Sequence, residues 1–434
     1  MANIQKTAPR KMDFLAKLFY RYRRISKALA LFLIIAGPGI IVMVADNDAG
    51  GITTYAVTGA QFGYSFIWFL ILLGPVAYVV QEMTVRLGAI TKRGHAEAIF
   101  DAFGSFWGWF SLSDLVLTDF LTTITEFIGM TAALSIFHIP QVVTVIVVIF
   151  VIMAMVLQGR YWTWEKIVLI FCVLNLIFVP AAFLVHPSVS EIIRKGIIPN
   201  LPGFNSNVFF FIMANIGTTI APWMLFFQQS SVVDKGLQEK DINTERVDTA
   251  IGSFFTVVVA VFCVIVTGTL LKGINVSDAA QAARLLLPIN KYVGAFMAIG
   301  LFDAGILGAI AISLASSWAL GEVFGWAHSL NNKVTQAPWF YLFRLIILVA
   351  AGVVVLIPRA PLILITLFVQ VIAVTLLPAA LTFLLLLLNE KGVVGKYKNS
   401  LAQNIILTVI IGAIIIVSTG YAVTTLFPHL LPAS

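Results

Sequence analysis

The stretch that decides the fold is VADNDAGGIT, residues 44–53, where two aspartates, an asparagine and two glycines interrupt an apolar segment. The run before it, ALALFLIIAGPGIIVMV, is long and apolar enough to cross most of a bilayer. Asp46 and Asp48 are therefore expected at membrane depth, where a charged side chain is costly and marks a functional site. Non-helical backbone at that depth needs protein or a water-filled cavity to satisfy its polar groups. We therefore predict a broken helix with a functional role.

The composition of the chain is that of an integral membrane protein. Of its 434 residues, 60% are hydrophobic and 11% charged, and the mean hydropathy is +1.00, whereas soluble domains have about 25% charged residues. The two cysteines, Cys172 and Cys263, lie in apolar runs, which excludes a disulfide framework and a paired-cysteine metal site. The net charge of +7 comes from basic residues at the ends of hydrophobic runs. That placement indicates membrane topology rather than a nucleic-acid partner.

Apolar runs divide the chain into eleven predicted membrane spans, at about 20 residues per crossing. Most of the 27 Lys and Arg residues lie at one set of span ends, which predicts a cytoplasmic amino terminus and an extracellular carboxyl terminus, PHLLPAS. Residues 1–30 form a basic cytoplasmic segment without the pattern of a removable signal peptide. The spans are 31–58, 64–90, 106–135, 141–158, 163–185, 207–233, 250–272, 289–325, 336–357, 361–388 and 402–426.

Two of these spans are broken. The first is interrupted at residues 44–53, and the sixth at NIGTTIAPW, where a glycine, two threonines and a proline disturb a continuous helix. Each broken span opens a block of five, which is the pattern of an inverted five-plus-five repeat with its substrate site at the membrane midplane. The predicted organisation is therefore a first repeat at 31–200, a second at 201–390, and a last span with the outer carboxyl terminus at 391–434.

The first break has the chemistry of a cation site. Backbone carbonyls and a carboxylate at an unwound turn supply several hard oxygen ligands, and the negative charge offsets that of the ion. Asp46 or Asp48 is therefore a candidate ligand. The alternative is that Asp46, Asn47 and Asp48 only cap the ends of the broken helix, as Asp and Asn often do.

A family resemblance follows from these motifs. The stretch GPGIIVMVADNDAGGITTYAVTGAQFGYSFIW resembles the first span of the Nramp divalent-metal transporters, with its Gly-Pro start, Asp-Pro-Gly-Asn break and Gly-Ala-Gln-Phe-Gly-Tyr exit. Further matches, in the family's order, are TEFIGMTAAL, QGRYWTWEKIV, FDAGILGAIAISLASSWALGEVFG and VQVIAVTLLPAALTFLLLLLNEKGVVGKYKN. The resemblance implies an all-α leucine-transporter fold and transport of divalent transition metals, usually with protons. The metal is then a substrate, and no cofactor is expected.

The chain departs from the family at its metal ligands. Asp48 matches the family aspartate, but Gly51 stands where the family has asparagine and Ala221 where it has methionine. A thioether is a soft ligand that suits transition metals and does little for Mg²⁺. The smaller side chains leave a larger cavity, in which an ion could keep part of its water shell, as Mg²⁺ usually does.

The family's proton-coupling residues are also altered. Its two sixth-span histidines correspond to Trp223 and Gln228, and its third-span aspartate to Thr123, while the basic ninth-span partner survives as Arg344. Histidine is the side chain that titrates near neutral pH without special help, so we expect no obligatory proton relay through the centre of this protein. Three acids remain in the third span and leave some coupling open: Asp114, Asp119 and Glu126.

These departures resemble the Nramp-related magnesium transporters, a branch that moves Mg²⁺ as well as Mn²⁺. The resemblance implies that Asp48 supplies charge, that backbone carbonyls of Ala45 and Thr218 are ligands, that Gln370 approaches the ion when the site closes, and that Trp223 forms a wall. Asn47 and Thr219 are weaker candidates for contacts through water. The implied metal site comprises Ala45, Asp48, Gly51, Thr218, Ala221, Trp223 and Gln370.

Other functions stay open at this point. An ion-coupled amino-acid carrier of the same fold is disfavoured because two aspartates would repel a substrate carboxylate. Ala221 and Trp223 argue against a proton-coupled manganese or iron carrier. An intramembrane enzyme lacks a hydrolase motif, and broken helices in paired repeats favour alternating access over a channel. We therefore expect a monomeric Mg²⁺ and Mn²⁺ transporter of the plasma membrane.

Two predictions concern residues near the span ends. Tyr161, Trp162 and Trp164 cluster where amphipathic rings settle at the lipid headgroups, so we expect an aromatic belt. His95 lies in a basic loop, TKRGHAEAI, and is expected at the surface.

Overall fold

The computed structural model describes residues 36–157, 159–199, 203 and 205–426. The basic segment 1–30 and the predicted outer terminus PHLLPAS lie outside the described residues. The principal helices, in chain order, are α1 Pro38–Ala45, α2 Ala49–Phe62, α3 Ile67–Thr91, α4 His95–Phe103, α5 Ser105–Ser135, α6 Gln141–Val156, α7 Tyr161–Leu184, α8 Ser206–Gly217, α9 Pro222–Asp234, α10 Ile242–Leu270, α11 Ala279–Leu286, α12 Lys291–Phe324, α13 Pro338–Val355, α14 Leu362–Leu387 and α15 Leu401–Leu426.

The predicted spans are confirmed by these helices. Within the described ranges, nine helical segments are long and apolar enough to cross a membrane, and one of them joins α8 with α9. The remaining two spans are the broken pair α1 and α2, and α6, a sixteen-residue apolar helix. Both breaks are present, between α1 and α2 and between α8 and α9.

Two helices outside the spans were not predicted. α4 follows Gly94 and ends at Phe103, and the next residue, Gly104, has a φ of 82°, a conformation that favours glycine. α11 begins at Asp278, whose Oδ1 accepts a hydrogen bond from the Gln281 N–H at 2.8 Å. Both helices are amphipathic and short, so they account for part of the length between spans.

The broken first span lies at the centre of the bundle. α10 packs against α1, α2 and α3, and α12 packs along α5 and also contacts α1, α2 and α7. α7 is itself irregular, because its helix tightens to a 3₁₀ turn at Asn175–Ile177. The first span is therefore enclosed by helices from both predicted repeats.

The beginning of α1 is held by a buried carboxylate. Oδ2 of Asp248, on α10, accepts hydrogen bonds from the backbone N–H groups of Gly37 at 3.0 Å, Gly39 at 2.7 Å and Ile40 at 3.3 Å. The first N–H groups of a helix have no intrahelical partner, and a negative charge there is favourable. Asp248 therefore holds the start of α1 against α10. We call the side of the helical bundle at which α1 begins the α1 face.

A buried ion pair reinforces this anchor. Nζ of Lys235, at the end of α9, lies 2.7 Å from Glu165 Oε1 on α7 and donates to the Ala36 carbonyl at 3.0 Å. Both charged side chains are almost fully buried. The start of α1 is thus tied to α7, α9 and α10.

We expect Asp248→Ala to lower the free energy of unfolding by about 1.5–3 kcal/mol, because hydrogen bonds to charged groups are worth that much and three donors lose their acceptor. Thermal unfolding of the purified protein in detergent measures the change. Asp278→Ala, which removes the cap of α11, is the matched control and should cost about 1 kcal/mol. A loss for Asp248→Ala no larger than that of the control would contradict its role as the anchor of α1.

Two predictions about the span ends were wrong. Tyr161 and Trp164 are each 1% exposed, and the Tyr161 hydroxyl lies 2.7 Å from Ser231 Oγ. Residues three apart share one face of a helix, and here that face packs on α9. Only Trp162, on the other face, is exposed as predicted.

His95 is buried rather than at the surface. Its Nδ1 lies 2.8 Å from Gln229 Oε1 on α9, and its ring meets the ring of Phe226 edge-on. Burial lowers the pKa of His95 to about 4 because the protonated imidazole loses its hydration. His95 is therefore a neutral packing residue between α4 and α9.

Candidate metal centre

The break in the first span leaves a backbone carbonyl without its helical hydrogen bond. Asp48 caps α2, since its Oδ1 accepts a hydrogen bond from the Gly51 N–H at 2.6 Å. In a continuous helix the Ala49 N–H would bond to the Ala45 carbonyl. It donates instead to Oε2 of Glu126, at 2.9 Å. The Ala45 carbonyl is thus released from that helical bond and can serve as a ligand.

The sixth span breaks in an equivalent way. α8 ends at Gly217 and α9 begins at Pro222. Proline has no N–H, so it cannot donate to the Thr218 carbonyl four residues earlier. The Tyr55 hydroxyl donates to that carbonyl at 3.1 Å. A carbonyl oxygen has two lone pairs, so Thr218 keeps one for a ligand.

Gln370 lies between the two breaks. A Cβ added at Gly50 would overlap Gln370 Nε2, and a Cβ added at Gly217 would overlap the Gln370 carbonyl. The absence of side chains at both glycines is what permits this close approach. Gln370 is 2% exposed. Because it approaches both Gly50 and Gly217, it contacts the first and the sixth span together.

Gly51 faces the oxygen atoms of the first break. A Cβ added there would lie 3.1 Å from the Asp46 carbonyl oxygen, 3.3 Å from Asp48 Oδ1 and 3.6 Å from Thr218 Cβ. A side chain at this position would therefore point into the space between the two breaks. Glycine leaves that space open and removes one possible ligand.

A second carboxyl group, which the sequence analysis did not place at the metal site, lies beside Asp48. A Cβ added at Gly308 on α12 would come within 2.5 Å of Glu126 Oε2 and 2.9 Å of Asp48 Cβ, so the two carboxyl groups approach each other across this glycine. Two carboxylates so close repel unless a proton or a cation lies between them. Two sequence features could have indicated this contact: the acid Glu126 within TEFIGM, and the glycines of FDAGILG, which allow close helix packing.

The other two polar residues of the break have different environments. Asn47 donates through Nδ2 to the Thr256 carbonyl at 3.3 Å, which holds the end of α1 to α10. Asp46 is 1% exposed, and its Oδ2 has no hydrogen-bond partner among the described residues. Asn47 therefore makes one structural contact while its Oδ1 has no hydrogen-bond partner among the described residues, and Asp46 is a buried acid near the site.

At the sixth-span break, where Ala221 and Trp223 differ from the family's residues, a sulfur atom lies close to the backbone. The Ala221 N–H lies 3.3 Å from Met224 Sδ, so this thioether caps α9. Trp223 is 1% exposed, and its ring packs edge-on against Phe227 at a centroid distance of 6.0 Å. The thioether of Met224, a residue one helical turn later in the chain, thus lies beside Ala221, where the resemblance expects a ligand.

The residues at the expected proton-coupling positions do not form a charged relay. Thr123 donates through Oγ1 to the Asp119 carbonyl at 2.6 Å, and the fully buried Arg344 donates through Nη2 to the Ile310 carbonyl at 3.0 Å. No carboxylate of the described chain lies within ion-pair distance of Arg344. Gln228 is buried, and neither of its amide atoms has a described partner.

A cavity of about 450 Å³ approaches the breaks from the membrane face opposite the α1 face. Thr53, two residues beyond Gly51, lines it together with Gly129, Thr366 and Asp278. A Cβ added at Gly129 would overlap Ala49 Cβ, so the cavity ends next to the first break. None of the seven residues of the implied metal site lines this cavity, so the cavity approaches the site from this face without reaching it.

The arrangement can hold a cation mainly through oxygen. Within the described ranges, no three His, Cys, Asp or Glu side chains converge as a metal cluster. The available ligands are instead one or two carboxylates, backbone carbonyls freed by the breaks, and a glutamine amide. Such a set leaves coordination positions for water, which suits a hard cation.

Comparisons with known proteins show the family of the chain and its fold. The family described as "Natural resistance-associated macrophage protein-like", or Nramp, matches residues 39–425. A divalent metal cation transporter MntH of Staphylococcus saprophyticus is 28% identical over 408 residues, which cover 88% of this chain and 89% of that protein. A MntH of Caldanaerobacter subterraneus is 27% identical over 312 residues, 68% of this chain and 71% of that protein. A crystal structure of the Eremococcus coleocola manganese transporter shares the fold, with a TM-score of 0.75 at 20% identity, over 91% of this chain and 86% of that one.

Proposed function

Because the chain belongs to the Nramp family of divalent-metal transporters, we propose that it transports Mg²⁺ as well as Mn²⁺ by alternating access, without obligatory proton movement. Its curated relatives are metal transporters, so the amino-acid carrier and enzyme alternatives have no support. The single observation that carries the magnesium proposal is the exchange of two ligating side chains for Gly51 and Ala221 at the paired breaks.

The ligand set favours a hydrated hard ion. Asp48 supplies a negative charge, the Ala45 and Thr218 carbonyls supply neutral oxygens, and Gln370 supplies an amide that bridges the two broken spans. Mg²⁺ demands octahedral geometry and dehydrates reluctantly, so it usually keeps several waters when it binds to protein. The open space at Gly51 gives room for these waters.

Alternating access would expose this set to the two faces in turn. The repeat at 31–200 would rock against the repeat at 201–390, and a single chain contains both. With the α1 face in the cytoplasm, as the basic residues predict, the cavity near Thr53 opens outside the cell. The plasma-membrane potential would then draw the ion inward, since each elementary charge gains about 2.3 kcal/mol per 100 mV.

A second candidate function is proton-coupled transport of Mn²⁺ or Fe²⁺. The contact between Glu126 and Asp48 favours it, because a metal entering between two carboxyl groups could displace a proton. The onward route is weak, however, since Arg344 is bonded to a backbone carbonyl and Gln228 cannot titrate. The two candidates differ in whether metal entry moves protons.

Reconstituted vesicles that contain a pH-sensitive dye separate these candidates. We expect Mg²⁺ to enter under an inside-negative potential without acidifying the lumen, because the residues described at the family's proton-coupling positions form no charged relay. Protein-free vesicles, and vesicles tested with Mn²⁺, are the controls. A metal-dependent acidification that Glu126→Gln removes would overturn the uncoupled mechanism. Uptake of Mn²⁺ with none of Mg²⁺ would overturn the magnesium proposal.

A further inference from the structure

A buried polar pair lies apart from the metal centre. Asp303 on α12 is 1% exposed, and its Oδ2 accepts a hydrogen bond from Asn175 Nδ2 on α7 at 3.2 Å. Asp303 precedes Gly308, which contacts the metal centre, by five residues. That separation corresponds to about 7.5 Å along the helix and about 140° around its axis. The pair therefore lies on a different face of α12 from Asp48.

The pair has two unsatisfied oxygen atoms. Oδ1 of Asp303 and Oδ1 of Asn175 have no hydrogen-bond partner among the described residues, and both side chains are buried. An unpaired polar atom in such a place costs free energy, and an uncompensated charge at membrane depth costs several kcal/mol. The one hydrogen bond from Asn175 therefore leaves an ionised Asp303 without a counter-charge and without a partner for Oδ1 among the described residues.

Nothing charged in the described structure compensates Asp303. Among the described residues Asp303 takes part in no ion pair, and Cys172 on α7, three residues before Asn175, is a thiol that has no positive charge. On α5, Glu126 faces Gly308 and the metal centre. One turn before Asp303, Gly300 packs against the ring of Phe178, which gives the pair an apolar neighbour.

We propose that Asp303 and Asn175 form a proton-binding site. A proton bound to Asp303 Oδ1 makes a hydroxyl that can donate to Asn175 Oδ1, while Asn175 Nδ2 continues to donate to Asp303 Oδ2. A carboxylic acid and an amide have matching donors and acceptors for such a reciprocal pair. One proton satisfies both unpaired oxygens and removes the charge.

Occupancy of this site controls how firmly α7 packs on α12. The pair lies at the 3₁₀ turn of α7, and α1 contacts both of these helices. Loss of the proton leaves a charge in this contact, so the transporter slows at alkaline pH. The proton stays with the pair through the cycle, so the site sets the rate without carrying protons across the membrane.

Asp303→Asn is the discriminating variant, because asparagine at this position mimics the protonated acid and keeps the reciprocal hydrogen bonds. The measurement is the initial rate of Mn²⁺ uptake into vesicles across a range of pH. Wild-type uptake should fall at alkaline pH with a slope approaching about tenfold per pH unit, as for a single titrating proton. Asp303→Asn should lose this decline and keep the rate that wild type shows at low pH.

The matched control is Asp119→Asn, another buried carboxyl on a membrane helix, which is bonded to Ser316 on α12. This control should keep the alkaline decline. An unchanged decline in Asp303→Asn would overturn the proposal. So would a decline that Na⁺ relieves at constant pH, since that result would identify a sodium site. Using Mn²⁺ keeps the test independent of the magnesium proposal.

A second measurement uses the wild-type protein and does not depend on folding of the variant. A hydrophobic carbodiimide reacts with protonated carboxyl groups in membranes, and peptide mass spectrometry locates the modified residue. Asp303 should be labelled at low pH and protected at high pH. Labelling that is absent at every pH, or equal at every pH, would show that the pair is only a packing contact.

Discussion

Asp48→Asn is expected to abolish metal uptake, with the initial rate lowered by at least about a hundredfold, or roughly 2.8 kcal/mol. Asp48 is buried in the first break, beside the carbonyls that α1 and α8 release. Removing one charge from a desolvated charge pair typically costs about 2–5 kcal/mol, and here the partner charge is the transported ion. The loss should therefore be seen with Mg²⁺ and Mn²⁺ alike.

The choice of asparagine separates the two roles of this residue. Asp48 also caps α2 through the hydrogen bond that its Oδ1 accepts from the Gly51 N–H. Asparagine has a side-chain oxygen that can accept the same hydrogen bond, and it is as good a cap. The variant should keep the break and the fold while it loses the charge, so a fall in uptake cannot be attributed to a lost cap.

Radiotracer uptake into vesicles, together with calorimetric binding of Mn²⁺ to the purified protein, measures the effect. Asp46→Asn is the matched control two residues earlier, and we expect a smaller loss from it. Near-normal uptake by Asp48→Asn would reject the proposed site. If Asp46→Asn abolished uptake and Asp48→Asn did not, the ligand would be the other aspartate.

The breaks could be predicted from the sequence because their causes are local. Pro222 removes a backbone donor from the sixth span, and Asp48 can cap a helix three residues before Gly51, whatever surrounds them. The positions of the spans could be predicted equally well, since they depend on the length of apolar runs. Each of these features depends only on residues that are close together in the sequence.

The neighbours of the breaks could not be predicted in the same way. Glu126 reaches Asp48 only because α5 and α12 pack closely at Gly308, and Gln370 reaches both breaks because Gly50 and Gly217 have no side chains. Such contacts depend on how distant helices pack, which a single sequence does not reveal. His95 was wrongly placed for the same reason, since its partner Gln229 lies on another helix.

Ala221→Met is expected to shift the metal preference from Mg²⁺ toward Mn²⁺ and Cd²⁺. Ala221 lies in the sixth-span break with extended backbone and is 5% exposed, at the position where the resemblance places a methionine ligand, so we expect a methionine side chain here to reach the ion. A thioether is a soft ligand, and it strengthens binding of transition metals without helping Mg²⁺. A change of about tenfold in the competition ratio corresponds to roughly 1.4 kcal/mol.

The control must separate sulfur chemistry from size. Ala221→Leu adds a side chain of similar volume without a ligand atom, so it should reduce uptake of all three ions by filling the space for water. Competition of Mg²⁺, Mn²⁺ and Cd²⁺ against a fixed tracer gives the ranking for each variant. The same ranking in Ala221→Met and Ala221→Leu would remove the lost thioether from the explanation of selectivity.

Met224 Sδ already lies near the Ala221 N–H. If the wild-type protein prefers Cd²⁺ and Met224→Leu removes that preference, this neighbouring sulfur has taken over the ligand role.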